Sequence, residues 1–340
     1  MSGELLELLG IIWQFTLMTA WILVLVLASF LLSLGAEMLS HFLGGKFVGR
    51  TLLSITTTLP EIMIVVYASR LAFYGTSLGS ALGSNVLMMS LGLSVMVLIA
   101  TTPLSKMPVR EINVEGFKLD MAFLIITAIL GVIMFIDGYD LIDGVIFLAM
   151  FITYLVFAFH ESRGERMFHM SAQRPLKGLS TLLKSIALFV LGAIGILVGA
   201  EPFVHSLEGV AAEIGTPAAV VAVILSPLAG EMPEKISMMF LARKGGEAVS
   251  ISVANVLGSK VLNNTLLLSC MILGAVYFHG LDTLINPNGL LMFEVYWAGV
   301  MTILATSLMF DRKLTLSDGV SLTILYLASV GIQFLVLMLL

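Results

Sequence analysis

The chain has 340 residues, of which 59% are hydrophobic and 11% charged, with a formal net charge of −5. A soluble domain is about 45–50% apolar and about 25% charged, so this composition excludes a soluble globular protein. The negative charge excludes the basic surface that nucleic-acid binding needs. The single cysteine, Cys270, excludes a disulfide framework or a cysteine metal cluster.

Apolar runs of about 20 residues recur along the chain, each long enough to cross a bilayer core of about 30 Å. The first follows an acidic start, MSGELLELLG, and without a basic region it is predicted to be a retained helix rather than a cleaved signal. In chain order, the predicted transmembrane helices are 11–36, 47–72, 76–101, 119–137, 140–160, 179–200, 216–242, 248–276, 288–309 and 316–339.

The lysines and arginines predict the orientation of these helices. With the N-terminus outside, Arg70 is the only basic residue in the outer connections. Because cytoplasmic connections are enriched in Lys and Arg, the protein is expected in the plasma (inner) membrane, with residues 161–178 cytoplasmic. The inner connections carry Lys46, Arg50, Lys106, Arg110, Lys118, Arg163, Arg166, Arg174, Lys177, Lys184, Arg243, Lys244, Arg312 and Lys313.

The polar connection 161–178 divides the chain into two halves of five predicted spans, 1–160 and 179–340. Three motifs recur in the same order: GAEMLSH as GAEPFVH, TLPE as EMPE, and ALGSNVL as VLGSKVL, at offsets of 164, 173 and 175. Ordered matches indicate a duplicated unit. An odd number of spans in each unit inverts the second copy, which is the plan of secondary transporters with a site at the repeat interface. The predicted fold is therefore an all-α membrane protein of two inverted five-helix repeats.

A proline followed at once by a glutamate lies deep in the second span of each half, as Pro60-Glu61 and Pro233-Glu234. Proline removes a backbone donor, so each span is expected to break there. Two carboxylates with freed carbonyls and hydroxyls form the oxygen cluster that hard cations such as Ca²⁺ prefer, and neither motif holds the His or Cys that zinc or copper would favour. Thr58 and Glu61 also fit a helix capping box, an alternative compatible with a cation site.

A Gly-Ser pair lies in the third span of each half, at Gly83-Ser84 and Gly258-Ser259. Small residues there favour close helix packing, and a serine can bond its own helix. Alternatively, Ser84 and Ser259 bind a cation with their hydroxyl oxygens.

These motifs resemble the two α-repeats of the cation/Ca²⁺ exchanger superfamily, in particular the sodium/calcium exchanger branch. That family's pattern is Gly-Thr-Ser-Leu-Pro-Glu, followed by Gly-Ser with Asn or Asp four residues after the serine. The matching segments here are 57–88 and 229–264. The resemblance implies ten helices with an inverted repeat, and exchange of Ca²⁺ at one central site.

The resemblance also implies a set of cation ligands. In the first half it marks Thr57, Thr58, Glu61 and Ser84, and in the second half Glu234, Ser259 and Asn263. The chain departs from the pattern at three positions: Met88 replaces the expected amide, and Gly230-Glu231 replaces the hydroxyl pair, so that Glu231 becomes an added candidate ligand.

Lys260 lies near the middle of the eighth predicted span, where a charge needs a partner. Glu231 on the adjacent span is the expected one. One hypothesis is that Lys260 acts as a tethered cation, at the position where a second coupled ion would bind. Alternatively, Lys260 or Glu231 exchanges a proton during transport, or Lys260 reaches an aqueous vestibule without a special role. Lys235 is expected to line the pathway or to pair locally.

The sequence therefore predicts a secondary antiporter, not an enzyme, that exports Ca²⁺ in exchange for Na⁺ by alternating access. The alternatives are H⁺ coupling and another divalent cation, Mg²⁺ or Mn²⁺. A cation channel is less favoured because one chain supplies both halves of the site, and an intramembrane hydrolase lacks a nucleophile or metal motif. No cofactor, nucleic acid or obligatory protein partner is expected, only the lipid bilayer and inorganic cations.

Overall fold

The computed structural model describes residues 2–43, 46–164 and 178–339. The first half contains α1 (Ser2–Leu43), α2 (Lys46–Arg70), α3 (Tyr74–Leu87), a π-helix (Met88–Gly92), α4 (Leu93–Thr101), β1 (Glu111–Asn113), a 3₁₀ turn (Glu115–Phe117), α5 (Lys118–Met134) and α6 (Leu141–Gly164). The second contains α7 (Leu179–Glu213), α8 (Ala218–Gly230), α9 (Met232–Lys244), α10 (Glu247–Leu262), a second π-helix (Asn263–Leu267), α11 (Leu268–His279), α12 (Gly289–Ser307), β2 (Lys313–Thr315) and α13 (Leu316–Leu339).

Eight helical stretches among the described residues are long and apolar enough to cross a membrane, and each coincides with a predicted span. The other two predicted spans, 47–72 and 216–242, correspond to α2 and to the pair α8 and α9. The predicted end of the sixth span, at residue 200, is wrong, because α7 continues to Glu213. The predicted 161–178 connection lies outside the described residues, except that α6 extends to Gly164 and Gly178 precedes α7.

The two proline motifs fold differently. The break expected at Pro60 is wrong, because α2 runs through this residue without interruption. The break in the second half is present: α8 ends at Gly230, Glu231 has a non-helical conformation, and Pro233 lies in the first turn of α9. A glycine favours a helix end and a proline is tolerated in a first turn, whereas no glycine precedes Pro60 in the TTTLPE stretch.

The two π-helices lie at equivalent places in the two halves. Met88 and Asn263, their first residues, are separated by 175 positions, which is the offset between the Gly-Ser motifs. Because π-helical turns are rare and frequent at functional sites, the same irregularity at matched positions agrees with a duplicated unit.

Helices from the two halves pack against each other throughout the molecule. Helix α1 lies against α7, α3 against α8, α2 against α11, and α4 against α13. Gly79 and Gly83 on α3 permit a close approach to α8, because a Cβ at either position would lie 2.3 Å from a carbonyl oxygen, that of Ala219 or that of Val223. The motif segments of both halves therefore meet in the middle of the bundle.

The connections group at two ends of the bundle, and contacts join them across the two halves. At the predicted inner end, β1 pairs antiparallel with β2, and the Lys106 amide donates to the Arg243 carbonyl at 2.8 Å. At the predicted outer end, Arg70 forms a salt bridge of 3.2 Å with Glu201. Tyr139 forms a β-bridge with Ile285 at the same end. Each end thus joins loops from both halves.

Candidate functional site

A cluster of polar side chains occupies the contact between the two halves. Its members come from α2, α3, the break after α8, α9, α10 and the second π-helix, and each is 6% exposed or less. Ionisable groups at membrane depth are costly and mark functional sites, so this buried cluster is the candidate site. Its members are Glu61, Ser84, Glu231, Glu234, Ser259, Lys260 and Asn263.

Lys260 is at the centre of the cluster and has no exposed surface. It forms a salt bridge with Glu231 and donates a hydrogen bond to Ser84 Oγ at 2.9 Å. The Asn263 amide is satisfied when its oxygen faces Lys260 Nζ at 3.1 Å and Ser84 Oγ at 2.7 Å, with its nitrogen donating to the Ser259 carbonyl at 3.2 Å. The ammonium therefore has three oxygen partners, one for each of its protons.

The expected pairing of Lys260 with Glu231 is confirmed. The alternative in which Lys260 reaches an aqueous vestibule is contradicted, since Lys260 is fully buried. The Ser84 hydroxyl also faces Glu231, so its single proton is shared between this carboxylate and the Asn263 oxygen. Lys235 pairs locally: its Nζ lies 3.5 Å from Glu231 Oε2 and donates to the Pro227 carbonyl at 2.6 Å. Glu231 is thus paired with Lys260, Ser84 and, at 3.5 Å, Lys235, while its Oε2 accepts no hydrogen bond among the described residues. Its role as a cation ligand stays a prediction.

Glu61 lies directly against Gly230. A Cβ added to Gly230 would be 2.9 Å from Glu61 Cγ and 3.1 Å from Glu61 Oε1, which is tighter than van der Waals contact allows. The glycine that departs from the family pattern therefore makes room for the acid of the other half. Glu61 Oε2 is buried and accepts no hydrogen bond within the described part of the chain, so it has capacity for a ligand.

Glu234 is the second acid with an oxygen left over. Its Oε1 accepts no hydrogen bond from the residues that the structure describes. The Ser259 hydroxyl lies beside the Glu234 carboxylate and donates to the Val256 carbonyl of its own helix at 3.0 Å. The expected bond of Ser259 to its own helix is confirmed, and its duty as a cation ligand stays a prediction.

The remaining candidates lie around these acids. Thr58 is buried and Thr57 is partly buried, both on α2 just before Glu61. Met88 is fully buried in an apolar cluster with residues of α4 and α10, so the departure at this position replaces an amide by packing. Among the described residues, no three His, Cys, Asp or Glu side chains converge closely enough to hold a metal ion. A cation here would therefore need hydroxyl or carbonyl oxygens beside Glu61 and Glu234.

Two buried amide side chains, Asn85 and Asn264, lie next to the cluster and are not in the predicted ligand set. Asn85 on α3 donates a hydrogen bond to Asn264 in the second π-helix, which ties the two halves together next to the cluster. Asn85 occupies the position in ALGSNVL that Lys260 occupies in VLGSKVL. The sequence favours Asn85 and Asn264 only as residues beside the ligands, and the contact between them agrees with that position.

Buried acids at the contact between the two halves of a many-helix membrane protein are typical of ion transporters. Comparison with known proteins identifies the family. The model of the sodium/calcium exchanger protein family matches residues 12–160 and 184–335, and the chain belongs to this family. It is therefore a multi-pass membrane antiporter of the cation/Ca²⁺ exchanger superfamily.

Individual relatives agree with this assignment. An uncharacterized membrane protein of Methanocaldococcus jannaschii is 30% identical over 250 residues, which cover 72% of this chain and 76% of the relative. The crystal structure of the H⁺/Ca²⁺ exchanger CAX has a TM-score of 0.81 at 21% identity and covers 96% of this chain and 85% of its own. The sodium-calcium exchanger NCX_Mj has a TM-score of 0.61 at 23% identity, covering 94% and 97%. These structures share the fold.

Proposed function

We propose that this protein moves Ca²⁺, or a similar divalent cation, across the membrane in exchange for Na⁺ or H⁺. One observation carries the proposal: Glu61 and Glu234, from opposite halves of the chain, are buried in one cluster and each keeps a carboxylate oxygen without a hydrogen bond among the described residues. Two buried negative charges need a positive ligand, and one divalent cation supplies the matching charge.

The ligand set follows from the contacts. Glu61, Glu234 and the Ser259 hydroxyl would hold the divalent ion, with Thr57 and Thr58 supplying further oxygens from α2. Ca²⁺ takes about 6–8 oxygen ligands in flexible geometry, so backbone carbonyls and water would complete the shell. The interruption at Glu231 supports this role, because non-helical backbone at membrane depth is tolerated where it is buried or lines a cavity.

Alternating access would follow from an inverted repeat of ten spans, 1–160 and 179–340. The matched π-helices and the motif offset of 175 support this duplication. In this arrangement α1 and α7 lie on one another along their length. Movement of this pair against the rest would expose the site to one side and then to the other, as in other inverted-repeat transporters.

Either Na⁺ or H⁺ fits as the coupling ion. The structural neighbours include an H⁺/Ca²⁺ exchanger and a sodium-calcium exchanger, and carboxylates can bind both ions. The protein would lie in the plasma (inner) membrane with its N-terminus outside, since the end of the bundle that holds β1, β2, Lys106 and Arg243 is the basic one.

Uptake of Ca²⁺ by proteoliposomes tests the proposal. Wild-type protein should accumulate Ca²⁺ under an outward gradient of Na⁺ or of H⁺, and Mg²⁺ and Mn²⁺ added as competitors would report the preference among divalent ions. Glu61→Gln and Glu234→Gln should each abolish uptake. Glu294→Gln is the matched control, because Glu294 on α12 is equally buried and likewise keeps an oxygen without a hydrogen bond among the described residues, but it is not a member of the polar cluster. Uptake that needs no counter-gradient, or that survives both substitutions, would overturn the proposal.

A further inference from the structure

We propose that Lys260 permanently fills one cation position of the site, so that each divalent ion is exchanged for two monovalent ions and transport is electroneutral. This inference rests on the proposed function and specifies its stoichiometry. It concerns a feature that departs from the family pattern, a lysine after the second Gly-Ser pair.

The first support is the way the ammonium is bound. Its three oxygen partners are a carboxylate, a hydroxyl and an amide: Glu231, Ser84 and Asn263. They come from both halves of the chain, as the ligands of a transported ion at a repeat interface would. Ser84 and Asn263 are also residues that the family resemblance assigns to cations. The lysine therefore occupies oxygens that a free cation would otherwise use.

The second support is the charge of the cluster. Glu231 is neutralised by Lys260, with both side chains fully buried. Glu61 and Glu234 are then the acids whose charge is left for travelling ions to balance. One divalent ion or two monovalent ions supply that charge equally well. Lys235 is bound to the Pro227 carbonyl and keeps 14% of its side chain exposed, so its charge is not counted among these fully buried ones.

The consequence is that both loaded forms of the protein carry the same charge through the membrane. Buried uncompensated charge is strongly disfavoured, so a form with one bound monovalent ion, or with three, would cross less readily. The reasoning holds for Na⁺ and for H⁺, because it depends on the number of free carboxylates and not on the identity of the ion.

Membrane voltage tests the inference directly. Proteoliposomes with wild-type protein would be loaded for exchange with the monovalent ion that drives uptake, and a K⁺ diffusion potential of about 100 mV would be set with valinomycin. One net charge per cycle would shift the steady-state Ca²⁺ ratio about fifty-fold per 100 mV. Electroneutral exchange predicts a shift below about twofold. A voltage-driven shift in wild-type protein would overturn the inference.

Three variants locate the effect at Lys260. Lys260→Gln removes the closer of the two lysines from Glu231 and leaves Lys235 Nζ at 3.5 Å. Glu231 can then hold a third monovalent ion, and the Ca²⁺ ratio should become voltage-dependent. Adding Glu231→Gln to this variant removes the freed acid and should restore voltage independence, as should the charge-conserving Lys260→Arg. A Lys260→Gln protein that exchanges ions independently of voltage, like wild type, would refute the inference.

The failure of the proposed function would look different. Wild-type protein that shows no gradient-driven Ca²⁺ flux at any voltage would remove the transport proposal and this inference with it. Gradient-driven flux that responds to voltage in wild type would remove the inference alone. If Lys260→Gln does not fold, the wild-type voltage measurement and the double variant still decide the question.

Discussion

The contact between Gly230 and Glu61 gives a sharp prediction. In Gly230→Ala, the new methyl would lie 2.9 Å from Glu61 Cγ and 3.0 Å from Cδ. Carbon atoms pack at about 3.5–4.0 Å, so the Glu61 side chain must retreat by about half an ångström or more. Overpacking of this kind costs about 1–3 kcal/mol. If that strain falls on the ion-loaded site, the apparent affinity for Ca²⁺ decreases by about 5- to 150-fold.

The assay is the Ca²⁺ concentration dependence of initial uptake in proteoliposomes, with the melting temperature measured in parallel. Gly258→Ala is the matched control, since the nearest atom to its Cβ is Tyr154 Oη at 3.5 Å, an ordinary contact. This variant should keep wild-type affinity. The reasoning fails if Gly230→Ala keeps the wild-type affinity for Ca²⁺, or if Gly258→Ala loses as much affinity as Gly230→Ala does.

Three other predictions test the packing and the topology. Glu231→Gln leaves the buried Lys260 charge without a carboxylate and should destabilise the protein by about 3–5 kcal/mol. The double variant Glu231→Gln with Lys260→Gln should be destabilised less. Equal melting temperatures for the single and the double variant would contradict the pairing. Gly83→Ala places a methyl 2.3 Å from a carbonyl of α8 and should abolish the folded monomer in size-exclusion chromatography; a normal elution profile would refute this close approach. In a Cys270→Ser background, a cysteine at Asp137 should react with impermeant maleimide from outside the cell and one at Lys313 only after permeabilisation; the reverse pattern would overturn the orientation.

Hydropathy located the spans because bilayer thickness imposes a length on every apolar helix. It missed the extension of α7 beyond residue 200, since a helix can continue past the membrane with polar residues such as Glu201 and Glu208. The break at Pro60 was also mispredicted. A proline costs a membrane helix only one hydrogen bond, and neighbouring groups can replace it.

At the site, the pairing of Glu231 with Lys260 followed from charge alone, because two opposite charges on adjacent spans had no better partners. The engagement of Ser84 and Asn263 by the lysine could not be read from the motifs, since the resemblance assigned both to a cation. Nor could the role of Gly230, which depends on how Glu61 approaches across the interface. The π-helices could not be predicted from the sequence either, because a change in the hydrogen-bond register of a helix does not alter its composition.

The central claim is that Glu61 and Glu234 hold one divalent ion jointly. Equilibrium binding of radioactive ⁴⁵Ca²⁺ to the purified protein measures this most directly. We expect one ion bound per wild-type chain, displaced by excess Na⁺ or by acid, and binding weakened at least about 30-fold in both Glu61→Gln and Glu234→Gln, since removing one partner of a buried charge pair costs about 2–5 kcal/mol. Glu294→Gln should bind as wild type does. Unchanged Ca²⁺ binding in either glutamate variant would contradict the shared site.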